Sequence, residues 1–240
     1  KSEIYETLIK NGVPRRSAAE FCQSLPMYWG TQPFTSGPVY VGAIVVFLFV
    51  LGIFIVKGPY KWALIAATLF SIFLSWGHNM MWLTKFFFVY FPLYSKFRAV
   101  SSILVVAEIA MPLLGFLAIK EILDKKIDRQ KAIKYTYMSA GITAGICLFF
   151  ALVGPALYNF TTPSDGRMFS QLSWLMDSVI SYRKSMFRTD ALRSMFFILA
   201  SAGIVVLYLK DKLKFKYFAL SLSLLLVVDM WPVNKRYFGN

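Results

Sequence analysis

The chain has 240 residues, of which 58% are hydrophobic and 18% aromatic. An ordinary soluble domain does not carry that composition, and several near-uncharged apolar runs reach bilayer-spanning length, so an all-α, polytopic membrane protein is expected. The net charge of +14 would point to nucleic acid in a soluble chain. Here the basic residues crowd beside the ends of apolar runs, where they set orientation, and no nucleic-acid partner is expected.

In chain order, residues 1–37 read as a polar extracytoplasmic segment with two helical stretches, broken at Gly12–Pro14 and followed by a Gly/Pro loop anchored by Tyr28 and Trp29. About six spans follow, near 38–56, 62–77, 99–119, 135–158, 193–209 and 217–233. Residues 80–94 are aromatic but interrupted by Lys85 and Pro92, which predicts an interfacial or re-entrant segment. Gly141 and Gly145 stand at the spacing that favours helix packing. Residues 167–187 predict an interfacial amphipathic helix. Its apolar face runs through Phe169, Leu172, Leu175, Val179 and Phe187, and its polar face carries Asp177, Arg183 and Lys184. Opening on Lys1 and closing just after a span, the sequence reads as a fragment of a longer protein.

Charge density predicts the orientation. The connections 57–61, 120–134 and 210–216 hold 12 Lys or Arg in 27 residues. They alternate with the longer connections, so they are expected on the cytoplasmic side, with both chain ends outside. The outer side then has enough material to build a site.

Five residues draw attention there. Lys96 and Arg98 lie at the outer end of the third span, at the depth of a phosphate, where arginine offers a two-pronged fit. Anchoring to lipid headgroups accounts for them equally well. Glu108, near the middle of that span, is expected on the face that meets other spans, together with Ser101, Ser102, Val105, Pro112 and Gly115. Asp229, in the outer half of the sixth span, is a second intramembrane acid. His78 is the only histidine and a general base in principle, although a lone interfacial histidine is more often solvated. With two cysteines far apart in topology and no Cys/His cluster, neither a disulfide nor a zinc site is expected. No cofactor is evident, and a requirement for a divalent metal stays open.

Three long phrases carry a family resemblance: YWGTQPFTSGPVYVGA at 28–43, YFPLYSKFRAVSSIL at 90–104 and DMWPVNKRY at 229–237. They closely resemble the YfhO family of large bacterial polytopic membrane proteins, in the version of Bacteroidetes-type bacteria. That family is similar to the GT-C class of membrane glycosyltransferases, which take a sugar from a polyprenyl-phosphate carrier on the extracytoplasmic face. The resemblance implies a location in the bacterial inner membrane and a lipid-linked sugar as partner. It also implies the later membrane portion of an enzyme that modifies a cell-surface polymer or glycan. The key acid of such enzymes sits in a first outer loop, which would precede Lys1, so no catalytic residue carries over. Two other readings stay open. One is a transporter or lipid-carrier flippase using Glu108 and Asp229 as ionisable groups; the other is a scaffold subunit without activity.

Overall fold

The computed structural model describes residues 2–25, 29, 39–92, 94, 100–162, 165–169 and 173–237, and no strand occurs among them. The helices are α1 (Ser2–Lys10), α2 (Arg15–Ser24), α3 (Ala43–Ile55), α4 (Pro59–Ser75), α5 (Met81–Tyr90), α6 (Val105–Leu123), α7 (Arg129–Leu157), α8 (Asp165–Met168), α9 (Ser173–Leu209) and α10 (Phe215–Tyr237). Short 3₁₀ turns, Gly77–Met80 and Val100–Leu104, precede α5 and α6.

Among the described residues, four helical stretches are long and apolar enough to cross a bilayer: Ser101–Leu123, Arg129–Leu157, Trp174–Leu209 and Phe215–Val233. A fifth exists if the chain from Pro59 to Tyr90 counts as one span, but it bends by 106°. The bend sits at Gly77, whose φ of 51° suits glycine. The Thr84 hydroxyl donates to the Gly77 carbonyl at 2.7 Å and fixes it. α3 has only 13 residues, roughly 20 Å of helix. The expected break between an amphipathic helix ending at 187 and a span beginning at 193 is absent, since α9 runs through both as one helix of 37 residues. No glycine or proline interrupts 173–202, so nothing local stops the helix.

The chain divides into two compact units: Lys1–Pro38, Gly145–Phe196 and Pro232–Asn240 form one, and Val39–Ala144 with Phe197–Trp231 the other. In the second unit α3 is the buried helix, with Ile44, Phe47, Leu48, Leu51 and Ile55 all almost fully covered. It packs on α6 through reciprocal notches. A methyl group added at Gly52 would come within 2.7 Å of the Leu114 carbonyl oxygen, and one at Gly115 within 2.9 Å of the Leu48 Cβ. Where lipid tails are as apolar as the helices, such close backbone approach supplies the association energy. Gly141 and Gly145, the pair singled out by spacing, have open space around their Cα atoms. At the other end of α3, Phe54 stacks on Tyr135 with ring centres 5.7 Å apart, and Arg129 bonds Asp211 at 2.7 Å. These contacts gather the basic connections of this unit at one end.

The first unit has its own core. Ile4 and Leu8 of α1 and Ala18 and Cys22 of α2 bury against Phe169, Leu175 and Val179. Those three belong to the apolar face expected to lie in the membrane interface; the amino-terminal helices cover them instead.

The notch between α3 and α6 makes a prediction. Gly52→Ala should lower the thermal midpoint in detergent, losing about 1–3 kcal/mol to overpacking. Gly145→Ala, facing open space, should leave the midpoint unchanged or raise it slightly. Equal behaviour of the two variants would contradict the packing.

Candidate functional site

The two acids expected within the membrane have different fates. Asp229 is fully buried. Its Oδ2 accepts the Ala43 amide at 2.8 Å and the Ile44 amide at 3.4 Å, and its Oδ1 accepts the Tyr40 hydroxyl at 2.8 Å. Those amides are the unsatisfied donors at the first turn of α3. Asp229 therefore caps α3 from a helix almost 190 residues away, beside the positive end of its dipole. Gly42, with φ 101°, lets the backbone turn into the cap, and a Cβ there would lie 3.5 Å from Asp229 Oδ2.

Glu108 faces the other way from its expected position. α6 buries Ala107, Ala110, Met111, Leu114 and Ala118, whereas Glu108 is exposed in line with Val105, Ile109 and Phe116. Small side chains let α6 approach α3, and that packing sets the helix rotation ahead of polarity. Glu108 makes no hydrogen bond or ion pair among the described residues. His78 is exposed in the turn between α4 and α5. Lys96 and Arg98 lie outside the described residues, so the phosphate site expected there has no geometry. Among the described residues no three His, Cys, Asp or Glu come together as a metal site.

The first unit holds a cavity of about 400 Å³ that the sequence reading did not anticipate. Phe187, Asp190, Ala191 and Ser194 of α9 line one side at helical spacing. Ile146, Cys147 and Phe150 of α7 face them, and Trp29 and Tyr158 complete the wall. Phe187 is the hub of the aromatic side: its ring centre is 6.0 Å from Trp29, 6.1 Å from Tyr158, 6.4 Å from Phe150 and 5.5 Å from Phe160. Gly154 leaves no room for a side chain where the Phe187 ring packs against it. Aromatic walls with few polar groups suit a ligand with apolar faces, and Asp190 and Ser194 can bond hydroxyl groups on it. Trp29 was legible only as an interfacial anchor, and Asp190 carried no local motif.

Behind this wall lies a buried ion pair. Arg183, expected on a polar face, is fully buried because Asp165 meets it: Nη1 donates to Oδ2 at 2.7 Å and Nη2 to Oδ1 at 3.2 Å. The same Nη1 donates to the Phe160 carbonyl at 2.9 Å, and the Thr162 amide donates to Asp165 Oδ2 at 2.7 Å. Phe160 is 1% exposed and has φ 51°, a left-handed conformation that costs a bulky L-residue about 1–2 kcal/mol. Burial pushes the Asp165 carboxyl up. Hydrogen bonds from Arg183 and Thr162, with the guanidinium charge, outweigh it and hold the group below its ordinary value.

No family model matches the chain, and no match occurs among the curated proteins or the solved structures.

Two outcomes are expected. Asp229→Ala should cost about 1–2 kcal/mol of stability by uncapping α3, and Asp229→Asn, which still offers an acceptor, should cost less; thermal unfolding in detergent measures both. For Asp165, whose folded-state value is depressed, the pair stabilises the first unit fully above the ordinary carboxylate range. That contribution is lost as pH falls through the depressed value. The thermal midpoint of the native chain should therefore fall on acidification more steeply than that of Asp165→Asn, which lacks the contribution at every pH.

Proposed function

We propose that this chain is the later membrane portion of a GT-C-like glycosyltransferase of the YfhO kind, acting on a sugar carried by polyprenyl phosphate. The aromatic cavity is the pocket for that lipid-linked sugar. The observation that carries the reading is the cavity itself: Trp29, Phe150, Tyr158 and Phe187 supply apolar faces for a sugar ring or the first isoprene units, and Asp190 and Ser194 supply hydroxyl partners. Its volume of about 400 Å³ lies in the range of small-ligand sites.

In this reading six spans cross the bacterial inner membrane, counting α3 and α4 as two, and the basic connections 57–61, 120–134 and 210–216 face the cytoplasm. The cavity residues of α7 and α9 are remote in sequence from those connections, and in this reading they lie toward the extracytoplasmic face. Lys96 and Arg98, outside the described residues, are proposed for the carrier phosphate on their chemistry alone. Asp190 binds substrate hydroxyls, and the catalytic acid belongs to chain beyond these residues.

The transporter reading needs Glu108 and Asp229 in one pathway. The cap on α3 gives Asp229 a structural task, and Glu108 points away from the α3–α6 contact, so the transferase reading is preferred. A scaffold has no need of the cavity.

Cys147 in the cavity wall provides the test. In nanodiscs, a polyprenyl-phosphate-linked hexose should slow alkylation of Cys147 by a small neutral maleimide, and polyprenyl phosphate alone should slow it less. Phe187→Ala and Asp190→Ala should weaken that protection. A Cys147 rate indifferent to either lipid would remove the proposal.

A further inference from the structure

Two costly features stand beside the cavity without lining it: a bulky residue in a left-handed conformation, Phe160, and a fully buried arginine, Arg183. They belong to one chain of contacts. Arg183 holds the carbonyl of Phe160, and Asp165, held in turn by Arg183, accepts the amide of Thr162. The ion pair therefore grips the segment between α7 and α8 at two points of its backbone. The Phe160 ring, so placed, packs 5.0 Å from Trp29, 6.3 Å from Tyr158 and 5.5 Å from Phe187. Those are three of the four aromatic residues lining the cavity.

We propose that Arg183 and Asp165 form a latch that holds Phe160 in its strained conformation and so keeps the aromatic wall of the cavity in place. Arg183 is a positioning residue for the cavity, and the segment 158–162 is the side that moves when the latch opens. The physical reason is the sign of the local energies. The left-handed backbone at Phe160 favours release, and it persists only while surrounding contacts over-determine it. Without the bond to its carbonyl, the segment relaxes toward negative φ and carries the ring away from Trp29 and Phe187. Arg183 and Phe187 lie four residues apart on α9, on one helix face. The helix that sets the latch thus also sets the centre of the wall.

The inference rests on the cavity as the binding pocket, but its test contains no ligand, so it stands or falls apart from sugar binding. The chain in nanodiscs is treated with a small neutral maleimide, and Cys147 and Cys22 are followed separately by mass spectrometry. Cys147 lines the cavity, whereas Cys22 lies in the core under α1 and α2 and reports unfolding of the whole unit. Asp165→Asn and Arg183→Gln should raise the Cys147 rate on the order of tenfold, by releasing local strain, with Cys22 still protected. Arg183→Lys, which keeps a charged donor, should recover part of the native rate. Phe160→Gly leaves the buried pair intact and should also raise the Cys147 rate, which keeps the test open should the charge variants fold poorly. An unchanged Cys147 rate in Phe160→Gly or in the folded charge variants overturns the latch. So does a Cys22 rate that rises in step with Cys147, because the pair would then hold the whole unit together.

Discussion

The second unit depends on the contact between the Asp229 carboxyl and the first amides of α3. α3 is short and almost wholly buried, and its leading N–H groups have no partner within the helix. A buried orphan donor costs more than an ordinary hydrogen bond returns. A carboxyl delivered by α10, steadied by Tyr40, meets that need and ties the carboxy-terminal span to the first apolar helix. The Gly52–Leu114 and Leu48–Gly115 notches then fix how α6 lies on α3. An acid that looked functional by its depth is spent on structure.

The first unit resolves a buried charge in a different way. Removing a guanidinium from water is costly unless it is paired and hydrogen-bonded. Arg183 meets both conditions through Asp165 and a backbone carbonyl, while Asp165 is further held by Thr162. Arg183 reaches from inside α9 to the first residue of α8 and the short connection before it, where backbone groups are available as partners. It also adjoins the aromatic cluster, centred on Phe187, that lines the cavity of that unit. The structural cost lies beside the cavity, one contact behind its wall.

Much of the helical content was legible. Apolar runs marked α3, α6, α7 and α10 with ends displaced by up to about six residues, whereas the apolar face Phe169–Leu175–Val179, expected to lie in the membrane interface, is buried against α1 and α2. The errors have physical causes. Polarity put Glu108 on the packed face of α6, but in lipid the packed face is chosen by small side chains. Spacing drew attention to Gly141 and Gly145, whereas the glycines that bring α3 and α6 together, Gly52 and Gly115, lie on different helices. Arg183 was assigned to a polar face because its partner, Asp165, lies across a turn and outside its helical period.

Composition and periodicity by themselves determined that the chain is helical, that several helices are long and apolar enough to cross a bilayer, and that its basic residues gather in short connections. These are local properties, fixed by the 3.6-residue period and by the cost of exposing backbone to lipid. Tertiary structure alone decided which way each helix turns, what Asp229 and Arg183 are for, and that Trp29, Tyr158 and Phe187 meet around a cavity. Such contacts join positions far apart in sequence, and no local pattern encodes the distance between them.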